Sequence, residues 1–407
     1  MAQAREFDVI VYGATGFTGR LVAEYLAKAY RDTNVAWAMA GRSETKLAAI
    51  RDEIGAPASI PLIKANADDP ASLAAMARRT KVVLTTVGPY QLYGEPLLAA
   101  CVQEGTDYVD LCGEPSWMVA MIPKYQDTAK ASGARIVFSC GFDSIPFDGG
   151  VFFLQSQAKQ RFGAPLPRVR GRVRKMKGTF SGGTAASMMA TIESGAKDPN
   201  LMKVMRDPYA LTPNPPATRQ PSGERVVHEE DLGQYSAPFI MATINTKNVH
   251  RTNALLGGAY GADFTYDEMQ LFGAGPKGKS RAKAAANGLV MQMVLLAIPP
   301  TRALLRWFVL PKPGEGPNKH ARETGSYDVL FVGQAPDGRT LRASVSGDMD
   351  PGYGSTSKMI TEAALCMAQD IDRTRTPGGV WTPMAAMGET LIARLQAKAG
   401  LKFVVEA

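Results

Sequence analysis

The run Gly13-Ala14-Thr15-Gly16-Phe17-Thr18-Gly19 constrains this chain more than any other feature, because of what flanks it. The apolar hexapeptide Phe7-Asp8-Val9-Ile10-Val11-Tyr12 precedes it, and Leu21, Val22, Tyr25 and Leu26 follow at helical spacing. Strand, glycine turn and helix in that order are the context in which G-x-x-G-x-x-G reads as a dinucleotide site. Gly13 permits the tight turn, Gly16 leaves the backbone open to a pyrophosphate, and Gly19 lets the helix lie close to the strand. The first N–H groups and the positive end of the helix then face the phosphates. The alternative is an ordinary glycine-rich turn, and the next strand argues against it.

That strand, 35–40, ends in Gly41-Arg42-Ser43. An NAD site usually carries an acid about 20 residues past the glycines, bonded to the ribose 2′-OH. Here Arg42 and Ser43 stand at that point. A carboxylate would repel a 2′-phosphate, whereas a guanidinium can hold one with paired, charge-assisted bonds. The chain therefore reads as NADP-preferring, with a plain surface arginine as the alternative.

The first 150 residues continue the alternation. Segments 60–64, 82–87, 107–111 and 134–139 read as further strands, and helices are expected from about Ala71 and from near Gly94-Glu95-Pro96. Nearly continuous apolar strands alternating with helices imply a parallel sheet covered on both faces. The fold class is α/β, a Rossmann-type doubly wound parallel sheet with a second, α+β substrate domain. Ligands of such sheets sit beyond the carboxyl ends of the strands. That directs attention to Asp68, Thr86, Gly88, Pro89, Tyr90, Gly113, Glu114 and the turn Cys140-Gly141-Phe142-Asp143-Ser144. The cofactor-binding candidates are Gly13, Thr15, Gly16, Phe17, Thr18, Gly19, Arg42, Ser43, Asp68, Thr86, Gly88, Pro89, Tyr90 and Gly141.

Composition narrows the class. A chain of 407 residues with 45% hydrophobic and 21% charged content is a packed protein of two or three domains. The net charge of +8 suits an anionic cofactor, a phosphorylated carrier or a membrane surface. Zinc-finger spacing, aromatic-interleaved basic motifs and heptads are missing, so nucleic acid is not the expected partner. Cys101, Cys112, Cys140 and Cys366 form no C-x-x-C pair, which fits a reducing compartment. The N-terminus runs directly into the first strand and reads as no signal peptide, so a cytoplasmic location, at most peripheral to a membrane, is expected.

The same segments carry a resemblance. G-A-T-G-F-T-G, A-G-R at 40–42, V-G-P-Y at 87–90 followed by Tyr93-Gly94, Y-V-D-L-C-G-E at 108–114 and S-C-G-F-D-S-I-P-F-D-G-G at 139–150 are typical of saccharopine dehydrogenase-like oxidoreductases. The branch they resemble includes trans-acting enoyl reductases, and the likeness continues through 180–184 and 310–317. It implies an NADP-binding Rossmann domain and a second α/β substrate domain. In some members it implies reduction of a double bond in a lipid acyl chain. On this basis residues 1–149 are the cofactor domain and 150–350 the substrate or interaction domain. Residues 351–407 are a helical segment that the resemblance returns to the Rossmann domain.

Beyond Gly150 the residues speak less clearly. Arg168, Arg170, Arg172 and Arg174 alternate with Val169, Gly171 and Val173, so at strand period they share one face. Four cations on one face require solvent or anions nearby: a solvated sheet face, or a landing surface for phosphopantetheine, coenzyme A or a lipid headgroup. Ser181-Gly182-Gly183-Thr184 before a helix is either an anion site or an N-cap. Segment 208–221 reads as a surface loop, and 327–332 and 341–345 as antiparallel strands joined at Asp337-Gly338, with a helix at 356–371. Segment 284–310 is the most apolar, but Asn287, Gln292 and Pro299-Pro300 break it before about 18 apolar residues accumulate. It is a buried helix pair, a lining for a greasy substrate, or an interfacial hairpin in which Arg302 and Arg306 meet phosphates while Leu304, Leu305, Trp307, Phe308 and Leu310 enter the acyl boundary.

Hydride transfer needs orientation of the nicotinamide and a proton source. The catalytic candidates are Tyr90, Tyr93 and Asp143, with helix capping as the competing role for Asp143. His228, His250 and His320 lack ligand spacing, and no metal site is expected. The chain reads as an NADPH-dependent reductase of a hydrophobic lipid or carrier-bound acyl substrate. Acyl-carrier contact, peripheral membrane contact and homodimerisation are the partner expectations. An imine or amino-acid dehydrogenase and a non-catalytic NADP-bound lipid-surface protein are the alternatives. Substitution Arg42→Ala should weaken NADPH by roughly tenfold or more, the loss of one charge-assisted contact of about 1.5–3 kcal/mol, and leave NADH nearly unchanged. Titration with both cofactors checks this, and equal weakening would assign Arg42 to the fold.

Overall fold

A computed structural model of the chain describes residues 5–178, 182–298, 300–302 and 315–406. The first half alternates β1 (Phe7–Tyr12), α1 (Phe17–Ala29), β2 (Trp37–Gly41), α2 (Glu44–Glu53), β3 (Leu62–Lys64), α3 (Pro70–Ala77), β4 (Thr80–Thr85), α4 (Tyr90–Gln103), β5 (Asp107–Val109), α5 (Pro115–Ser132), β6 (Arg135–Val137) and α6 (Ile145–Phe162). Then come β7 (Arg168–Lys177), α7 (Gly182–Lys197), α8 (Pro199–Arg206), β8 (Val227–Glu229), β9 (Gln234–Pro238), α9 (Ala242–Leu255), β10 (Thr265–Leu271) and α10 (Gly275–Ala297). The chain continues through α11 (Lys319–Glu323), β11 (Ser326–Gln334), β12 (Thr340–Gly347), α12 (Thr356–Leu365), β13 (Gly379–Trp381), α13 (Pro383–Lys398) and β14 (Leu401–Glu406).

The first sheet has seven strands in the order β13-β6-β5-β4-β1-β2-β3, every neighbouring pair parallel. Alternate side chains of β1 enter opposite layers: Val9 and Val11 pack with Val22 and Leu26 of α1, Ile10 and Tyr12 in the layer that holds Leu97 and Leu98 of α4. Burial on both faces is why these strands read as unbroken apolar runs. The strand order reverses between β1 and β4, which opens a crevice at their carboxyl ends. The second sheet is mixed, in the order β14-β12-β11-β7-β10-β9-β8, with β7 and β10 its parallel pair. Helix α6 leaves the first sheet and lies on the second. At Gly150 a Cβ would stand 2.1 Å from Phe331 Cε2, so only glycine allows this approach.

Three expectations change. Helix α4 begins at Tyr90, not near Gly94, because the Glu114 carboxylate accepts the N–H groups of Tyr90 and Gln91, each at 2.9 Å, and caps it there. Pro96 accordingly stands inside the helix. The helix begun at Thr356 is α-helical to Leu365 and continues as a π-helical turn, Cys366–Asp370. The arginine row on β7 meets carboxylates of its own chain: Arg168 with Asp267, Arg170 with Glu229 and Asp231 at 2.7 Å, Arg172 with Glu229 at 2.6 Å and Asp267 at 2.8 Å, and Arg174 with Asp328 at 2.8 Å and Glu406 at 2.5 Å. The anions that the row requires are internal, so the external phosphate offered as one of the two readings meets a row already neutralised.

After β12 the chain contributes β13 to the first sheet and β14 to the second. Buried charge fastens it. Glu362 of α12 accepts from Tyr30 Oη at 2.6 Å and from Arg394 Nε of α13 at 2.9 Å. Arg135 of β6 donates through Nε to Asp107 at 2.9 Å and through its terminal nitrogens to the carbonyls of Met367 and Ile371, both at 2.7 Å. Substitution Arg135→Ala would strand the buried Asp107 carboxylate. Removal of one partner of such a pair costs about 3–5 kcal/mol. The loss should fall near the lower figure, because Arg373 remains 3.2 Å from Asp107. Urea unfolding midpoints of the two proteins measure it.

Candidate active site

The glycine turn has the shape its spacing requires. Gly13 adopts φ 91°, and a Cβ there would meet Val87 Cγ2 at 2.7 Å. At Gly19 a Cβ would lie 2.1 Å from Gly13 O, so helix and turn touch backbone to backbone. Gly16 differs: a Cβ would have Gly13 O at 3.3 Å and no other atom within 4 Å. Gly16 is also the N-cap of α1 and supplies no side-chain bond to the first turn. An open space therefore stands before a helix N-terminus whose N–H groups are uncapped, the geometry and polarity that a diphosphate needs. The pyrophosphate of NADP would fit this cradle, where the N–H groups of Phe17 and Thr18 would face it. Thr15 beside them is exposed.

At the ribose end, Arg42 is exposed and has no ion pair among the described residues. Both Arg42 and Asp68 lie near Tyr12, and their charges act on its phenol in opposite directions. Ser43 accepts from Lys46 N at 3.3 Å and caps α2. Thr86 donates to Gly13 O at 3.5 Å and joins the end of β4 to the turn, with Gly88 exposed beside it and Pro89 buried. Phe17 is enclosed from the C-terminal side. Tyr353 meets its ring edge-on at 5.2 Å, and the Arg322 guanidinium lies 5.8 Å from its centroid.

The three catalytic candidates separate. Tyr90 is a core residue. Its hydroxyl accepts from Leu111 N at 3.0 Å and donates to Thr85 O at 3.4 Å, and burial pushes its phenol far above the ordinary value. Its hydrogen bonds hold the β4 and β5 loops together, and its hydroxyl has no free direction toward a substrate. Tyr93 is exposed in the first turn of α4. Asp143 lies in the turn between β6 and α6, whose Gly141 is packed beneath Leu111 and Thr356. The expected cap at Asp143 is missing: Ser144 is the N-cap of α6, and no side chain bonds its first turn. Asp143 Oδ1 is instead buried without a hydrogen-bond partner among the described residues, and burial pushes its carboxyl up to about 7.

Behind Asp143 stand residues that the sequence did not single out. Asn248 of α9 donates to Ser144 Oγ at 2.8 Å, and Asn245 of α9 and Tyr266 of β10 each donate to Glu268 at 2.9 Å. Burial pushes Glu268 up to about 8. The one available signal was the acidic pair Asp267-Glu268 between Tyr266 and Met269 in an otherwise strand-like run. His250 is buried against Tyr209 and Phe264, and burial lowers it to about 3, so it stays neutral. Of the apolar segment, Leu304, Leu305, Arg306, Trp307, Phe308 and Leu310 lie outside the described residues, as does Ser181. Arg302 pairs with Glu193 at 3.3 Å. Among the described residues no helix is long and apolar enough to cross a membrane.

Substitution Gly16→Val should fill the cradle while leaving the fold intact, because φ −79° and ψ 167° suit valine. NADPH binding should fall at least about a hundredfold, roughly 2.7 kcal/mol. Fluorescence titration beside a thermal melt checks both halves, and normal binding by a folded variant would relocate the phosphates.

Comparison with known proteins agrees with this geometry. Residues 9–137 match the family described as Saccharopine dehydrogenase NADP binding domain. A trans-acting enoyl reductase of Mycobacterium ulcerans is 40% identical over 405 residues, with 96% of each chain covered. One of Mycobacterium bovis is 38% identical over 408 residues, again with 96% of each covered. Among solved structures, apo saccharopine dehydrogenase (L-Glu forming) of Saccharomyces cerevisiae superposes with a TM-score of 0.53 at 11% identity, over 98% of this chain and 99% of that one. The cradle at Gly16, the matched NADP-binding domain and the full-length relatives together place the chain in the saccharopine dehydrogenase-like oxidoreductases, in the trans-acting enoyl reductase branch, as an NADP-dependent enzyme.

Proposed function

We propose that the protein reduces a carbon–carbon double bond conjugated to the carbonyl of a hydrophobic acyl group, presented on a lipid or a carrier. The observation that supports this most is the pairing of an open diphosphate cradle at Gly16 with the Asp143 carboxyl, whose buried Oδ1 has no hydrogen-bond partner among the described residues, both at the carboxyl edge of one parallel sheet. When bound, the reduced nicotinamide supplies a hydride to the β-carbon. Arg42 and Ser43 hold the 2′-phosphate end, with Asp68 toward the adenosine. The first turn of α1 holds the pyrophosphate, and Thr86, Gly88 and Pro89 border the nicotinamide. Asp143 gives the α-carbon its proton, since a carboxyl raised to about 7 by burial still carries one in about half of the molecules at neutral pH. Tyr90 positions the loops, and Tyr93 at the exposed rim contacts the acyl group.

The character of α10 supports an apolar, anion-bearing substrate. Its first half presents Lys277, Lys279, Arg281 and Lys283, exposed and without an ion pair among the described residues. Its second half exposes Val290, Met291, Met293 and Val294, and Ile298 just after it is exposed as well. A phosphate-bearing carrier with an apolar chain complements both halves, and the same surface suits peripheral contact with anionic lipid. A small polar imine has no use for such a face.

Purified protein should oxidise NADPH when given an α,β-unsaturated long-chain acyl thioester and yield the saturated product. It should not do so with a cyclic imine or an oxo acid plus amine. Substitution Asp143→Asn should lower kcat by about 10²–10⁴ and leave NADPH affinity unchanged. Turnover of the imine alone would favour the dehydrogenase alternative, and turnover of neither, with tight NADPH binding, the non-catalytic one.

A further inference from the structure

Once Asp143 has given up its proton it must be reloaded, and the fold places a second carboxyl behind it. Ser144, Asn245, Asn248, Tyr266 and Glu268 form a polar patch where the turn before α6 meets α9 and β10. Asn248 donates to Ser144, and Asn245 and Tyr266 donate to the two oxygens of Glu268. The Oδ1 atoms of Asp143, Asn245 and Asn248 are all buried and accept no hydrogen bond from the described residues. Unpaired acceptors in an apolar interior are costly, and protonated carboxyls bring the donors they lack. The neighbouring strand makes room for this arrangement. Glu268 stands opposite Gly171 of β7, where a Cβ would lie 2.7 Å from Tyr266 Oη and 3.2 Å from Glu268 Cγ.

We propose that Glu268 is the proton reserve of Asp143, the two carboxyls sharing one proton across the Asn245, Asn248 and Ser144 patch. This rests on the reading of Asp143 as the acid of the reductase. The transfer involves no redox change. After Asp143 has protonated the α-carbon, the Glu268 O–H bond breaks and an Asp143 O–H bond forms; the pair regains its proton from solvent through Asp143, the less buried of the two, and the Glu268 O–H bond reforms. Glu268 is thus a positioning residue that acts through Asp143.

The surroundings favour a retained proton. Burial is the main cause at both carboxyls, and the charge of Asp143 raises Glu268 further. On β10, Asp267 points to the opposite face, where Arg168 and Arg172 pair with it. On α9, Lys247 donates to the carbonyls of Met205 and Thr243, Arg251 to those of Leu211 and Val380, and His250 stacks on Tyr209. On α6, Asp148 accepts from Met384 N. No cation among the described residues pairs with Asp143 or Glu268. With Asp143 ionising near 7 and Glu268 near 8, the pair holds one proton between those values. Activity should therefore persist until that last proton leaves.

The test is the pH profile of kcat/KM for the full-length protein with NADPH and an enoyl thioester. The alkaline limb of the wild type should lie near 8. In Glu268→Gln it should fall by about one unit, toward that of Asp143 alone, with KM and NADPH affinity unchanged. Tyr266→Phe, which keeps the ring, should move the limb the other way, because it removes a bond that favours ionised Glu268. A second readout needs no turnover. Infrared titration of carboxyl bands in unliganded protein should show a group ionising near 8 that Glu268→Gln lacks and Asp143→Asn shifts downward. Wild-type limbs in both variants, or a Glu268 band indifferent to Asp143→Asn, would overturn the pair even if the reductase reading holds. Absence of turnover with every acyl thioester, alongside coupled infrared titration, would overturn the reductase reading and leave the pair standing.

Discussion

The structure turns on the approach of α6 to the second sheet at Gly150, where no side chain larger than hydrogen fits against Phe331. Helix α6 is the first element to leave the parallel sheet, and the turn before it carries Asp143 and Ser144. Pressing its body onto β11 and β12 draws that turn against α9 and β10. The place where the two sheets are joined is therefore also the place where a buried carboxyl meets the end of the cofactor crevice. The C-terminal segment completes the joint. Arg135 and Glu362 tie it to the first sheet and to α1 through buried, multiply bonded charges, and β14 closes the far edge of the second sheet.

Charge is handled in two opposite ways within one sheet. On the outer face of β7 each arginine has a carboxylate within ion-pair distance, so the row is neutral and holds strands together. On the inner face Glu268 has no cation among the described residues, only an amide and a phenol, and Asp143 Oδ1 in the turn nearby has no partner among them at all. Fully paired charges have little left to offer a ligand. A carboxyl kept protonated by burial, with an unused oxygen at the edge of a cleft, can still donate. This contrast is what separates the proposed chemistry at Asp143 from the merely structural charge at Arg172.

Much of the cofactor half was legible in the sequence, because local spacing and backbone geometry determine it. Three glycines at fixed intervals after an apolar strand can make few turns other than this one, and Arg42 follows at the distance set by one helix and one strand. The cap on α4 was not legible. Pro96 suggested a start near itself, but Glu114, some 20 residues on in sequence, reaches back and starts the helix at Tyr90. The same contact places Tyr90 in the core and removes it from the donor role. The arginine row shows the same limit, since period two correctly puts four cations on one face but says nothing of what lies opposite.

By itself, then, the sequence determined the parallel sheet, the glycine turn and NADP as the class of cofactor, since each depends on residues close together in the chain and on steric rules that hold anywhere. Only the tertiary structure decided which polar side chains are satisfied. Glu268 meets Tyr266 within its own strand, but Asn245 reaches it from α9, and Asn248 of the same helix meets Ser144, about a hundred residues away in the chain. A carboxyl's protonation depends on desolvation and on neighbours within a few ångströms, and those neighbours exist only after both sheets have closed on α6.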